Sequence, residues 1–143
     1  EILSRRTELR VLQVQGGERL AAGTVFLAPP DRHLLVGADG VLVLADTVRV
    51  QYSRPSADVL FLSLAESRGA GVIAVVLTGT GKDGAEGVRA VKARGGTVIA
   101  QDEASAEFFG MPGAARRTGV VDRMLPLDEI APALVKLTAG GTA

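Results

Sequence analysis

The chain has 143 residues, 47% of them hydrophobic, with 16 acidic and 16 basic side chains, no cysteine and a single histidine, His33. That length suits one domain with a buried core, and the balanced charge creates no field that would draw nucleic acid or a membrane surface. Disulfides, thiolate chemistry, multi-histidine metal sites and membrane insertion are excluded within these residues, so no cofactor or metal is expected and a cytoplasmic setting fits.

Glu1 to Arg6 reads as the last turn of a helix whose beginning is absent, so an N-terminal portion is expected to be missing. Leu9 to Val14 alternates apolar with polar, the mark of a half-buried strand, and Gly16-Gly17 ends it. Gly23 to Ala28 reads as a second strand, halted by Pro29-Pro30. His33 to Val36 and Val41 to Leu44 flank Ala38-Asp39-Gly40, a hairpin signal because Asp-Gly accepts positive φ angles. The pairing expected across this first third is antiparallel. A polar connector, Asp46 to Arg54, leads to a helix over Ala57 to Arg68, with Ser56 placed to cap it, Asp58 in its first turn and Gly69 as its stop. The apolar girdle of that helix, Val59, Leu60, Phe61, Leu62 and Leu64, is wide enough to be buried on more than one side.

Val72 to Leu77 is an unbroken apolar run rich in β-branched residues, read as a central strand of a parallel sheet, buried on both faces. Ala85, Val88 and Val91 then recur at helical spacing until Gly95-Gly96, with Gly87 expected to pack closely on the sheet. Thr97 to Ala100 predicts a second buried strand. A helix follows with Pro112 at its first position, then a last strand within Val120 to Leu125. Asp128 is placed to cap a final helix through Ile130, Leu134 and Leu137, and Thr138 to Ala143 reads as a frayed tail. Alternating strands and helices over the last two thirds indicate an α/β layered fold.

Between strand and helix lies Gly79-Thr80-Gly81-Lys82-Asp83-Gly84, at the carboxyl edge of the sheet where ligands and catalytic groups gather. It satisfies the G-x-G-x-x-G pattern of dinucleotide-binding folds, with Asp102 near the spacing of a ribose-binding acid. Asp83, however, sets a negative charge where a pyrophosphate would sit. A second reading makes Asp83 a carboxylate held at a helix N-terminus, suited to orient and stabilise a histidine in a nucleophile-base-acid set. A third makes it only the cap of the helix beginning at Gly84 or Ala85.

From about Arg6 to Leu137 the chain resembles the chemotaxis protein-glutamate methylesterase family, the CheB-type catalytic domain. The matching blocks stand in family order: GTVFLAPPDRHLLV, RPSADVLF, VVLTGTGKDGAEG, GGTVIAQDEASAEFFGMPGAA and VVDRMLPLDEIA. The resemblance implies an α/β, Rossmann-like, three-layer domain: a mostly parallel sheet with flanking helices and an antiparallel hairpin. It implies hydrolysis of glutamate methyl esters on chemoreceptors, with glutamine deamidation as a second activity, by a Ser-His-Asp triad whose aspartate is Asp83. Gly79, Thr80 and Gly81 form the oxyanion and active-site loop on this reading, and Lys82 and Met111 are candidate neighbours of the substrate. The partners implied are a methylated chemoreceptor signalling domain and, as a further option, a receiver domain; nucleic acid is not among them.

The chain departs from the family pattern where the chemistry starts. The family's nucleophilic serine and triad histidine lie upstream of Glu1, so residues 1–143 are read as one catalytic domain lacking its N-terminal strands, inactive by itself. His33 matches a histidine that is not the triad base and reads as structural. Ser4, Ser53, Ser56, Ser63, Ser67 and Ser105 lack the glycine-rich surroundings of a nucleophile turn. Arg54 reads either as a contact for an acidic receptor surface or as the partner of a nearby carboxylate. The alternatives to esterase function are a non-catalytic regulatory or binding relative and a dinucleotide-binding domain.

Overall fold

The computed structural model describes residues 8–140, so the helical turn expected at residues 1–6 and the end of the expected frayed tail lie outside the described residues. Strands β1 (Arg10–Gln13) and β2 (Thr24–Leu27) pair in parallel, Arg10 opposite Thr24 and Gln13 opposite Leu27. This corrects the antiparallel expectation for these two strands of the first third. The connector between them does not fold back on β1: Gly17 N donates to Leu42 O, Leu42 N to Glu18 O and Leu20 N to Gly40 O. Its backbone groups are satisfied by the following hairpin, and the chain returns to start β2 in the direction of β1.

Strands β3 (His33–Val36) and β4 (Leu42–Ala45) form the expected antiparallel hairpin, with Val36 opposite Leu42. Gly40, at φ +82°, takes the left-handed position of the turn. Helix α1 (Ala57–Arg68) starts and stops as the sequence predicts, with Ser56 at the N-cap accepting from Val59 N and Gly69 at the C-cap. Phe61 and Ala65 are buried in the main core, while Leu60 and Leu64 touch both that core and a smaller cluster formed by Val14, Leu34, Val36 and Leu42. Leu60 and Leu64 thus join two cores, while Leu62, expected in the buried girdle, is exposed.

Strands β5 (Ile73–Val76), β6 (Thr97–Gln101) and β7 (Arg123–Leu125) form a parallel sheet in that order. Among the described residues β6 is central and β5 lies at the edge, which corrects the expectation for Val72 to Leu77. The burial differs accordingly. Ala74 and Val76 are buried, Ile73 and Val75 only half-buried, whereas four consecutive residues of β6, Val98 to Gln101, are buried.

The period of two sorts side chains between layers. Ala74, Val76, Val98 and Ala100 face helices α1, α2 (Ala85–Ala93) and α3 (Gly110–Arg117), while Ile73, Val75 and Ile99 face helix α4 (Leu127–Gly140) through Ile130, Ala133 and Leu134. Helices therefore cover both faces of the sheet, the three-layer α/β arrangement expected. Val88, Val91 and Val98 are fully buried, each stabilising the fold by roughly 1.5–3 kcal/mol.

Four local expectations change. Helix α3 begins at Gly110, so Pro112 occupies its third position, still within the first turn where an N–H has no intrahelical partner. Helix α4 begins at Leu127, whose N–H is taken by Ser105 Oγ at 3.0 Å, and Asp128 lies inside its first turn instead of capping it. Gly87 packs on a helix and not on the sheet: a Cβ there would lie 2.5 Å from Phe61 Cβ. The expected tail is helical as far as Gly140.

Candidate active site

The loop after β5 is held by the segment that follows β6. Thr78 N donates to Gln101 Oε1 at 2.9 Å, Gly79 N to Phe108 O at 2.9 Å and Met111 N to Gly79 O at 2.8 Å. Thr78 Oγ1 donates to Phe108 O and accepts from Phe108 N. Gln101, only 1% exposed, uses its Nε2 on Ser105, so the buried end of β6 ties both loops together. Gly110 is required by this contact: a Cβ would come within 2.9 Å of Gly81 N and O, backbone atoms that cannot yield. Met111 lies against Gly79, which joins it to the loop and to the main core at once. Gly81 and Gly84, at φ +85° and +102°, supply the positive angles of the turn.

Asp83 ends this loop, buried at 5% exposure. Its carboxylate does not cap its own helix. Oδ1 accepts from Ser56 Oγ at 2.7 Å and Asp58 N at 3.0 Å, and Oδ2 accepts from Ala57 N at 2.7 Å. Asp83 therefore caps α1. In return Asp58, 3% exposed, reaches back through Oδ1 to Gly84 N at 3.0 Å and Gly87 N at 2.8 Å, capping α2. Two helix N-termini exchange carboxylates, which overturns the reading of Asp83 as a cap for the helix at Gly84 or Ala85. Sequence reasoning missed Asp58 in this role because an aspartate in a first turn is sufficiently explained by its own helix.

Burial pushes the Asp58 carboxyl above the usual aspartate range, and the Asp83 and Glu86 charges push the same way against the N–H groups of Gly87 and Gly84. A carboxyl raised in the folded state holds its proton more tightly than in the unfolded chain. Its contribution is complete below the unfolded value near 3.8 and is lost as pH rises through the folded value. An asparagine in place of Asp58 would keep the accepting oxygen without the charge. Asp58→Asn is therefore expected to gain melting temperature over the natural protein as pH rises from about 4 toward 7; parallel melting curves across that range would contradict it.

Thr80 and Lys82 are exposed on the loop beside Asp83. Asp102 accepts from Ser105 N and Oγ at the end of β6. Arg54 is taken by Asp31 at 2.8 Å and by the carbonyls of Asp46 and Thr47, the carboxylate-pairing alternative. His33 is fully buried in the hairpin, its Nε2 2.8 Å from Val48 O. Ser63 bridges Val36 N and Leu60 O. No serine is paired with the histidine among the described residues, and Ser4 lies outside them. A cavity of about 350 Å³ opens between β3, β4 and α1, but none of its lining residues belongs to the glycine loop. Among the described residues no group of three histidine, cysteine or acidic side chains could hold a metal ion.

A parallel sheet covered on both faces, with a buried and fully oriented carboxylate at its carboxyl edge, defines an α/β domain of the kind that carries catalytic groups on strand-to-helix loops. The profile of the family described as CheB methylesterase matches residues 1–134, and the chain belongs to that family. It is 46% identical to protein-glutamate methylesterase/protein-glutamine glutaminase 4 of Anaeromyxobacter dehalogenans (strain 2CP-C), across 97% of this chain and 40% of that protein. It is 45% identical to the protein-glutamate methylesterase FrzG of Myxococcus xanthus, across 94% and 40%. The crystal structure of the Thermotoga maritima CheB methylesterase catalytic domain superposes with a TM-score of 0.91 at 37% identity, covering 95% of this chain and 74% of that one. The chain thus spans about two fifths of the length of these curated relatives. Among the described residues no helix is long and apolar enough to cross a membrane.

Proposed function

We propose that this chain belongs to a protein-glutamate methylesterase and contributes Asp83 as the acid of a Ser-His-Asp triad. The observation that carries the reading is the state of the Asp83 carboxylate: three donors occupy it, two on Oδ1 and one on Oδ2, so one acceptor position of Oδ2 remains for an imidazole N–H. Serine and histidine come from segments outside these residues on this reading, consistent with the partial span of the relatives.

The serine attacks the ester carbonyl while the histidine takes its proton, and Asp83 holds the imidazole tautomer and stabilises its charged form. Collapse of the tetrahedral intermediate returns that proton to the leaving methoxide as methanol. Water then attacks the acyl-enzyme by the same route and releases glutamate; with a glutamine substrate, ammonia leaves instead. Gly79 N–H is committed to Phe108 O, so Thr80 and Gly81 are the N–H groups of this turn left to stabilise the oxyanion, worth roughly 3–4 kcal/mol per donor. Lys82, exposed on the loop, and Met111, packed against Gly79, are the substrate neighbours on this reading. The substrate is a methylated chemoreceptor signalling domain in the cytoplasm, with a receiver domain as the regulatory partner.

The test is methanol release from methylated chemoreceptor by the full-length protein that carries this chain. Release with loss of receptor methylation is expected. Receptor binding without methanol release would sink the esterase reading in favour of a non-catalytic relative.

A further inference from the structure

The first turn of α1 does more than start a helix. Ser56, Ala57 and Asp58 all donate to the Asp83 carboxylate, while Asp58 itself grips Gly84 N, the peptide immediately after Asp83. Asp83 is therefore held at its side chain and at its following backbone by one turn of another helix. We infer that Asp58, together with Ser56, is a positioning residue for ester hydrolysis, setting the one unoccupied acceptor position of Asp83. The inference rests on the triad reading of Asp83 and extends it.

Helix stability alone does not call for this arrangement. Ser56 Oγ already accepts from Val59 N at 3.4 Å, and a carboxylate at Asp83 could cap its own helix without reaching across. The exchange instead brings two carboxylates, 3% and 5% exposed, to adjoining helix ends, where burial and the neighbouring Asp83 charge oppose ionisation of Asp58. What the exchange achieves is rigidity: turning the Asp83 side chain breaks up to three bonds, two of them buried, and moving its backbone breaks the two that Asp58 accepts. Local arrangements that oppose stability but fix a group in place are characteristic of functional sites. Asp58 touches no substrate on this account, since it is buried behind Asp83.

The experiment uses the full-length protein with methylated receptor, measuring kcat per folded active site by titration, KM, and the acid limb of the kcat/KM profile, which reports the base. Asp58→Ala and Asp58→Asn both remove the charge, so the difference between them reports position. Asp58→Ala is expected to lower kcat roughly 10- to 100-fold with KM within about twofold, and to move the acid limb below that of Asp58→Asn. Asp58→Asn, which keeps the accepting oxygen, is expected to restore most of kcat. Should Asp58→Ala fail to fold, Ser56→Ala removes one donor to Asp83 together with the 3.4 Å cap on Val59 N, and a loss of roughly 3- to 10-fold in kcat per folded site is expected. Natural kcat and limb in every variant, or an Asn variant no better than Ala, would overturn the inference and reduce the exchange to a structural cap. Asp83→Asn, run in parallel, separates the two readings: if it leaves hydrolysis intact the triad assignment itself fails, whereas its loss beside unaffected Asp58 and Ser56 variants defeats the positioning role alone.

Discussion

Asp83→Asn is expected to lower kcat for methyl ester hydrolysis by about four orders of magnitude, the scale of effect when a triad acid becomes an amide. Asparagine retains one carbonyl oxygen, enough for the bonds from Ser56 Oγ and Asp58 N, but it sets an NH₂ group where Oδ2 now accepts from Ala57 N. That opposes donor to donor, leaves the Ala57 N–H unsatisfied and costs about 1–3 kcal/mol of stability. The same NH₂ occupies the position left for the histidine N–H and selects the wrong tautomer. Two effects of separate origin are thus expected from one substitution, a modest fall in melting temperature and a very large fall in kcat, with KM little changed. A variant that loses stability as expected but keeps kcat within tenfold of natural would show Asp83 to be a helix cap and nothing more.

Gly87→Ala is expected to cost roughly 3 kcal/mol, at the upper end of overpacking effects, and to lower the melting temperature by roughly 10 °C. The added methyl would sit 2.5 Å from Phe61 Cβ and 2.9 Å from Phe61 Cδ2. Helix α1 cannot step back to relieve the contact, because the exchanged carboxylates of Asp58 and Asp83 tie the two helix starts together and Gly87 N is itself one of the bonded groups. Since the nearest atom is a Cβ, trimming Phe61 to alanine would not rescue the variant. A melting temperature within about 2 °C of natural would mean that α1 and α2 separate more freely than these bonds imply.

Much of this molecule follows from short-range signals. The start of α1 at Ala57, the stop at Gly69, the Asp39-Gly40 hairpin and the β-branched runs of β5 and β6 were readable because capping, turn geometry and strand propensity depend on neighbours within a few residues. The three-layer α/β fold and the family likewise stand in the order of the blocks. The position of the candidate site followed too, since a glycine turn between a buried strand and a helix must fall at the carboxyl edge of the sheet.

Other features needed the folded chain. Whether β1 and β2 run parallel depends on where the intervening connector finds its hydrogen bonds, and it finds them on β4 and the hairpin turn, remote in sequence. The same apolar run reads as central or edge strand, because hydrophobicity reports burial and not the number of neighbouring strands, and β5 takes the edge among the described residues. Gly87 signalled a close approach, but the partner expected was the sheet, whereas the one it meets is Phe61 of α1. The exchange between Asp58 and Asp83 is the clearest case: a carboxylate accepts an N–H from either helix with equal chemistry, so the residues were legible from the chain alone, but only tertiary packing, which brings the two helix starts together, decided which helix each one caps.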